Sequence, residues 1–319
     1  MSFTAQVKDE LSRITGDDGQ MVAELAALVR VSGTLSLPGH RSYRLTISTE
    51  TGSVARAAII LLHRCFNLRT ELTVRKSVLH KTNNYLITVP PQPVIAEALV
   101  LMGVLDEDLG LQSEIEPGLV SSDEGAVAYL RGAFMAGGSV ADPHRDAHME
   151  LVTQSMPFAD GLVGLVSRCG VQARLSRRRG DIVVYVKNAR DVMALTTALG
   201  ATESAASYRR VLDMKALRNS TNRLVNAEMA NQRKSTDAAG QQVEMILAID
   251  AARGLESLPK ALREFATLRL ENPEMSLREL GQACDPPLSK SAVGHRLRRL
   301  EEIAVQLGVS AGNRAMPNG

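Results

Sequence analysis

An internal repeat constrains the fold more than any other feature of this chain. The segment LTISTETGSVARAAIILLHRCFNLRTELTV, starting at Leu45, aligns with MELVTQSMPFADGLVGLVSRCGVQARLSR, starting at Met149. Arg64-Cys65 then matches Arg168-Cys169 at an offset of 104. A repeat of this length is one structural unit used twice. Each copy reads as a strand, an apolar helix, two strands and a helix. The ranges are 44–50, 53–65, 69–78, 83–89 and 92–103 in the first copy, and 148–155, 157–169, 172–179, 182–187 and 189–199 in the second. Alternation in RTELTVRKS and DIVVYVKN predicts half-buried antiparallel strands. Residues 1–204 therefore form two α/β halves, about 1–115 and 120–204, packed about a pseudo-twofold axis.

Ahead of each copy lies a helix of small residues ending in glycine, ELAALVRVSG (Glu24–Gly33) and YLRGAFMAGG (Tyr129–Gly138). Ala26, Ala27, Gly132, Ala133 and Ala136 let two backbones approach closely, so this helix pair is the expected dyad interface. Gly33 and Gly138 fit the left-handed position that ends many helices.

Charge divides the chain differently. Residues 1–204 hold 20 Lys+Arg against 22 Asp+Glu, whereas 205–319 hold 17 against 13. Within 209–234, Arg209, Arg210, Lys215, Arg218, Arg223, Arg233 and Lys234 face only Asp213 and Glu228. Clustered cations in a near-neutral chain point to a polyanionic partner. No apolar run reaches the ~18 residues of a membrane span, and the acidic opening MSFTAQVKDELSRI is unlike a signal peptide. The three cysteines, Cys65, Cys169 and Cys284, are too scattered for a zinc or disulfide framework and suit a reducing cytoplasm. With 3% aromatic residues and no Trp, stacking platforms for single strands are not expected.

After residue 205 the pattern is helical. Residues 206–234, basic and Asn-rich with weak apolar spacing, read as a solvated pair of helices in a linker spanning 205–240. Gln241–Gly254 and Pro259–Pro273 show helical spacing, with Pro259 suited to a first helical position. In SLRELGQACDPPLSKSAVGHRLRRLEEIA, Ser276 and Glu279 form a capping box, and Leu277, Leu280 and Ala283 line one face of a short helix. Asp285-Pro286-Pro287 stops it. Ser289 caps a second helix with a buried stripe of Val293, Leu297, Leu300 and Ile303. Ser291, His295 and Arg298 point away from that stripe, and Arg299 sits at its flank. This is the helix-turn-helix pattern, whose second helix enters the major groove, where Arg reads guanine edges. Lys290, at the helix start, is placed for phosphate. Residues 241–319 form this DNA-binding domain.

Other polar residues carry less. His144, His148, Asp142 and Asp146 read as a solvated loop and not a metal site, and His63 as a satisfied core or edge histidine. Ser32 and Ser139 have no positioned His, so no hydrolytic nucleophile is expected. GAFMAGGS lacks the spacing of a nucleotide-binding loop. No catalytic residue, metal or cofactor is expected.

The paired helices and repeated halves resemble LAGLIDADG homing endonucleases carried on one chain. In that family an acid just before each terminal glycine holds a catalytic divalent metal; Ser32 and Gly137 stand at those positions here, before Gly33 and Gly138. Cleavage needs hard anionic oxygens beside the scissile phosphate, which neither residue supplies. The opening SFTAQVKDELSRI, the motif LRGAFMAGGSVADP and the final helix-turn-helix together resemble the WhiA sporulation transcription regulators of Gram-positive bacteria. The resemblance implies an α+β fold of two LAGLIDADG-type halves followed by an all-α helix-turn-helix domain. It implies a cytoplasmic, nucleoid-associated regulator of sporulation, cell division and chromosome segregation genes. Its partners would be double-stranded DNA and a WhiB-like iron–sulfur protein; the DNA-binding candidates read from spacing and charge are Lys290, Ser291, His295, Arg298, Arg299, Arg218 and Arg223. The Arg- and Ala-rich, Trp-free composition suggests an actinobacterial source. The alternative is a site-specific endonuclease with unconventional metal ligands such as Glu24, Asp142 or Asp146.

Overall fold

The computed structural model describes residues 2–39, 42–76 and 83–309. Chain contacts divide it into two units, Met1–Lys215 and Ala216–Gly319.

The first unit opens with α1 (Phe3–Leu11), an element that the sequence reading did not identify; the Ser2 side chain accepts from the Ala5 amide at its start. The first half then runs α2 (Asp18–Ser32), β1 (Gly33–Gly39), β2 (Ser42–Thr49), α3 (Gly52–Phe66), β3 (Glu71–Lys76), β4 (Asn83–Val89) and α4 (Ile95–Leu101). The second half repeats this as α5 (Asp123–Gly137), β5 (Gly138–Val140), β6 (Met149–Thr153), α6 (Met156–Arg168), β7 (Arg174–Arg178), β8 (Asp181–Val186) and α7 (Ala189–Ala198). Each half carries a four-stranded antiparallel sheet, ordered β1-β2-β4-β3 and β5-β6-β8-β7. The strand expected over 69–78 runs Glu71–Lys76, with positions 77 and 78 outside the described residues, and it is exposed on both faces where half-burial was expected, because it lies at the sheet edge.

Alternation explains which sheet face is covered. On β2, Tyr43, Leu45, Ile47 and Thr49 are buried, and the residues between them are not. One apolar core runs through both halves, including Leu25 and Leu28 of α2, Leu130 and Phe134 of α5, and Tyr208. Small residues bring the two motif helices together as expected. A Cβ at Gly132 would lie 2.0 Å from the Glu24 carbonyl oxygen, so only glycine permits this approach.

Gly33 and Gly138 are not left-handed. Their φ/ψ values are −85°/143° and −81°/151°, because each passes directly from a motif helix into an edge strand. Glycine serves there for space: a Cβ would lie 2.3 Å from the Val29 carbonyl oxygen at Gly33, and 2.3 Å from a ring carbon of Phe134 at Gly138.

The helix pair expected over 206–234 is instead one continuous helix, α8 (Thr202–Arg253), which also absorbs the segment from Gln241. It contains no proline and is rich in Ala, Leu, Met, Arg and Gln, all good helix formers. Its weak apolar period reflects a lack of packing partners and marks no break: residues 216–238 are exposed throughout.

The second unit adds α9 (Lys260–Glu271), α10 (Leu277–Ala283) and α11 (Lys290–Gln306). Pro259, expected at the first helical position, instead stands at the N-cap of α9, one residue before its first turn. Its separate core joins Ile246, Ile249, Phe265, Leu280, Val293, Leu297 and Leu300.

Candidate nucleic-acid interface

The groove-reading candidate is built from α10 and α11. The Ser276 Oγ accepts from the Glu279 amide at 3.3 Å, and Glu279 Oε2 accepts from the Ser276 amide at 2.8 Å. The Ser276 backbone amide first, and its side chain second, stabilise the charged carboxylate and hold it below the ordinary range. Leu280 is buried and Leu277 half-buried, but Ala283 is exposed; Cys284, half-buried, packs against the core in its place. The reason is angular, because Cys284 follows Leu280 by four residues and shares its face.

Two residues that the sequence reading passed over fix the turn. A Cβ at Gly281 would lie 2.8 Å from the Leu288 carbonyl oxygen and 2.9 Å from Val293 Cγ2, so glycine lets α10 and α11 meet. Arg269, 1% exposed, donates through Nη1 to the Met275 carbonyl at 2.6 Å and ties the α9–α10 connection from inside. Burial lowers its guanidinium pKa from the ordinary value. An interior arginine is invisible to periodicity, which assigns charges to surfaces.

On α11 the Ser289 hydroxyl accepts from the Ala292 amide at 3.3 Å, and Val293, Leu297, Leu300 and Ile303 are all buried. That stripe pins one side of the helix. Lys290, Ser291, His295, Arg298 and Arg299 are exposed on the rest of it. Ser291, His295 and Arg298 follow the i, i+4, i+7 spacing of a single face. The Arg298 side chain only touches the Gly294 carbonyl at 3.4 Å, which leaves its terminal nitrogens available. Arg299 pairs with Glu302 on the surface, a contact worth at most ~1 kcal/mol that a phosphate can displace. Arg218 and Arg223 stand exposed on α8. Among the described residues, none of the seven cations of 209–234 forms an ion pair.

The degenerate motif positions lie at the ends of α2 and α5. Ser32 turns its hydroxyl back to donate to the Leu28 carbonyl at 2.8 Å. At Gly137 a Cβ would lie 2.6 Å from Val31 Cγ1, so the neighbouring motif helix already fills the place of a side chain. Glu24 is 4% exposed and accepts from Arg131 Nε at 2.6 Å in the middle of the helix pair, which removes it from any surface metal site. Burial raises its pKa against the opposing pull of Arg131. Asp142 and Asp146 are exposed loop residues; Asp142 accepts from the His144 amide, and His148 pairs with Glu150 at 2.9 Å. No group of three His, Cys, Asp or Glu able to hold a metal occurs among the described residues. His63 is exposed at an edge, 3.0 Å from the Thr70 hydroxyl, and Ser139 lies 3.3 Å from Glu150.

The chain matches three family models: the WhiA N-terminal LAGLIDADG-like domain over residues 18–104, the WhiA LAGLIDADG-like domain over 126–218, and the WhiA C-terminal HTH domain over 221–304. It is 38% identical over 314 residues to the probable cell division protein WhiA of Clostridium acetobutylicum, covering 96% of this chain and 98% of that protein. Identity to the probable cell division protein WhiA of Heliobacterium modesticaldum is 40% over 306 residues, covering 95% and 96%. The crystal structure of full-length DUF199/WhiA from Thermatoga maritima shares the fold with a TM-score of 0.61 and 24% identity, covering 96% of this chain and 99% of that one. Two pseudo-symmetric halves, a C-terminal helix-turn-helix and near-complete coverage at this identity agree on one conclusion: the chain belongs to the WhiA family.

Proposed function

We propose that this protein is a sequence-specific DNA-binding transcription regulator of sporulation, cell division and chromosome segregation genes, with nuclease activity lost. The observation that carries the reading is the face of α11 formed by Ser291, His295 and Arg298, presented to solvent while Val293, Leu297 and Leu300 anchor the opposite side. Lys290, Arg299, Arg218 and Arg223 would hold phosphates around it. In domain terms, 1–204 is the endonuclease-like part, 205–240 the basic connector and 241–319 the reader. The relatives' names as probable cell division proteins support the cell-division part of this reading. A WhiB-like iron–sulfur protein, a nucleoid-associated cytoplasmic location and an actinobacterial source belong to the same reading. No described helix is long and apolar enough to cross a membrane.

Loss of cleavage follows from Ser32 and Gly137, neither of which offers an anionic metal ligand. The test is chromatin immunoprecipitation followed by footprinting on an enriched duplex with Mg²⁺ or Mn²⁺ present. The expected result is a protected, uncut site. Cleavage abolished by Asp142→Ala or Asp146→Ala would establish the endonuclease alternative instead.

A further inference from the structure

The first unit contains an open cleft of about 680 Å³ bordered by the ends of α3 and α4 and the starts of α2 and α5. Its floor is apolar: Val22, Phe66 and Leu119 are half-buried, and Leu101 is 54% exposed. The charged side chains around that floor, Asp17, Asp18 and Glu124, are all acidic. Asp17 is already engaged as the cap of α2, accepting from the Gln20 amide at 2.8 Å. Among the described residues Asp18 and Glu124 form no ion pair. The adjoining connector, 102–124, carries seven acids and no Lys, Arg or His. An apolar floor inside a charged rim marks an interaction surface, and this rim selects a partner whose aliphatic side chains are flanked by cations.

The chain itself supplies that surface. Residues 216–238 of α8 are exposed throughout. At 100° per residue Arg218, Val225, Met229 and Arg233 fall on one face of this helix. The acids of the same stretch, Glu228 and Asp237, lie about 80° or more from Arg218 and so off the centre of that face. Val225 and Met229 are each about half exposed. Phosphate binding accounts for arginines on this face and leaves the aliphatic side chains between them without a role.

We propose that the cleft takes the α8 face of a second copy of this chain. Val225 and Met229 would lie on the floor of Phe66, Leu101 and Leu119, and Arg218 and Arg233 would meet Asp18 and Glu124. The two surfaces differ, so the contact is heterologous: a pair of copies keeps one free cleft and one free helix face, and association continues as a ring or an open chain. Arg218 is also one of the phosphate contacts proposed above, and on that reading a duplex competes with the second copy.

The test is sedimentation velocity on the full chain without DNA, across a wide range of protein concentration at low and high salt. The average mass should rise with concentration at low salt and fall at high salt, which screens the rim contacts. Asp18→Lys with Glu124→Lys should remain monomeric, and so should Arg218→Glu with Arg233→Glu. Mixing these two variants should restore association, because the reversed helix of one fits the reversed cleft of the other. Val225→Ser with Met229→Ser, changed on an exposed face that folding does not require, should weaken association about tenfold. A wild type that stays monomeric at every concentration in low salt overturns the proposal. So does association that either charge-reversed variant retains, or a mixture that fails to restore it. These measurements contain no DNA, so failure of the transcription-regulator reading leaves them intact. Adding the footprinted duplex should dissolve the wild-type assembly, and an assembly unaffected by it overturns the shared use of Arg218.

Discussion

Arg131 of α5 donates to Glu24 of α2 at 2.6 Å across the centre of the motif-helix pair, with both side chains almost fully buried. The pair lies beside a close backbone approach, where a Cβ at Gly132 would lie 2.0 Å from the Glu24 carbonyl oxygen. Removing one partner leaves the other charge stranded in the core. Arg131→Met should therefore cost about 3–5 kcal/mol, read as a lower urea midpoint for the first unit. Glu24→Gln combined with Arg131→Met should recover part of that loss. Equal midpoints for wild type and Arg131→Met would show that the pair contributes nothing.

The contact between Val31 and Gly137 makes a second prediction. Val31 is β-branched and restricted in χ1, so its Cγ1 cannot easily turn away from a new methyl. Gly137→Ala should cost about 1–3 kcal/mol through overpacking, and Val31→Ala in the same chain should relieve it. A double-mutant cycle measures the coupling; additive losses would place the strain elsewhere.

For base reading, Arg298→Ala should weaken binding to the footprinted site by about 1–3 kcal/mol if Arg298 forks onto a guanine. Binding to random duplex should change much less. Competition titrations on both duplexes decide this, and equal weakening would make Arg298 a phosphate contact.

Positioning should behave differently from reading. Arg218→Ala with Arg223→Ala should lower affinity on every duplex and flatten the salt dependence by roughly one log–log unit per lost phosphate contact. Preference for the target over a mutated target should stay the same. Titrations across a range of salt concentrations test this, and a wild-type slope would remove α8 from the DNA-binding surface.

Lys8 gives a pH dependence. Its folded pKa of about 8 lies below the unfolded value, so the unfolded chain binds more protons between the two. Stability should rise with pH from about 8 to about 10.4. The same contribution is lost as pH falls through the folded value. It amounts to about 2–3 kcal/mol, and Lys8→Met should lack it. The difference between the two chains' urea midpoints across this range isolates it from other titrating groups.

Patterns confined to a few neighbouring residues were legible without coordinates. The repeat predicted two equivalent halves, and alternation in RTELTVRKS and DIVVYVKN located β3 and β8, although β3 is exposed along its whole length. Ser276 with Glu279 announced a capping box that the structure contains atom for atom. The stripe from Val293 to Ile303 showed which face of α11 is buried, and therefore which side chains face solvent. These signals survive in sequence because helix and strand periods convert spacing directly into direction.

What only the tertiary structure decided concerns atoms brought together from distant positions. Periodicity placed glycines at the ends of the motif helices, but whether they serve left-handed turns or close packing depended on Val29, Phe134 and Val31 lying against them. It marked Glu24 as an acid without showing that Arg131, far along the chain, would bury and neutralise it. Arg269 and Lys8 carried no signal in the sequence, where a charged residue is assigned to water by default. Their surroundings are set by three-dimensional packing, where the free energy of a charge depends on which dipoles and counter-charges replace its water.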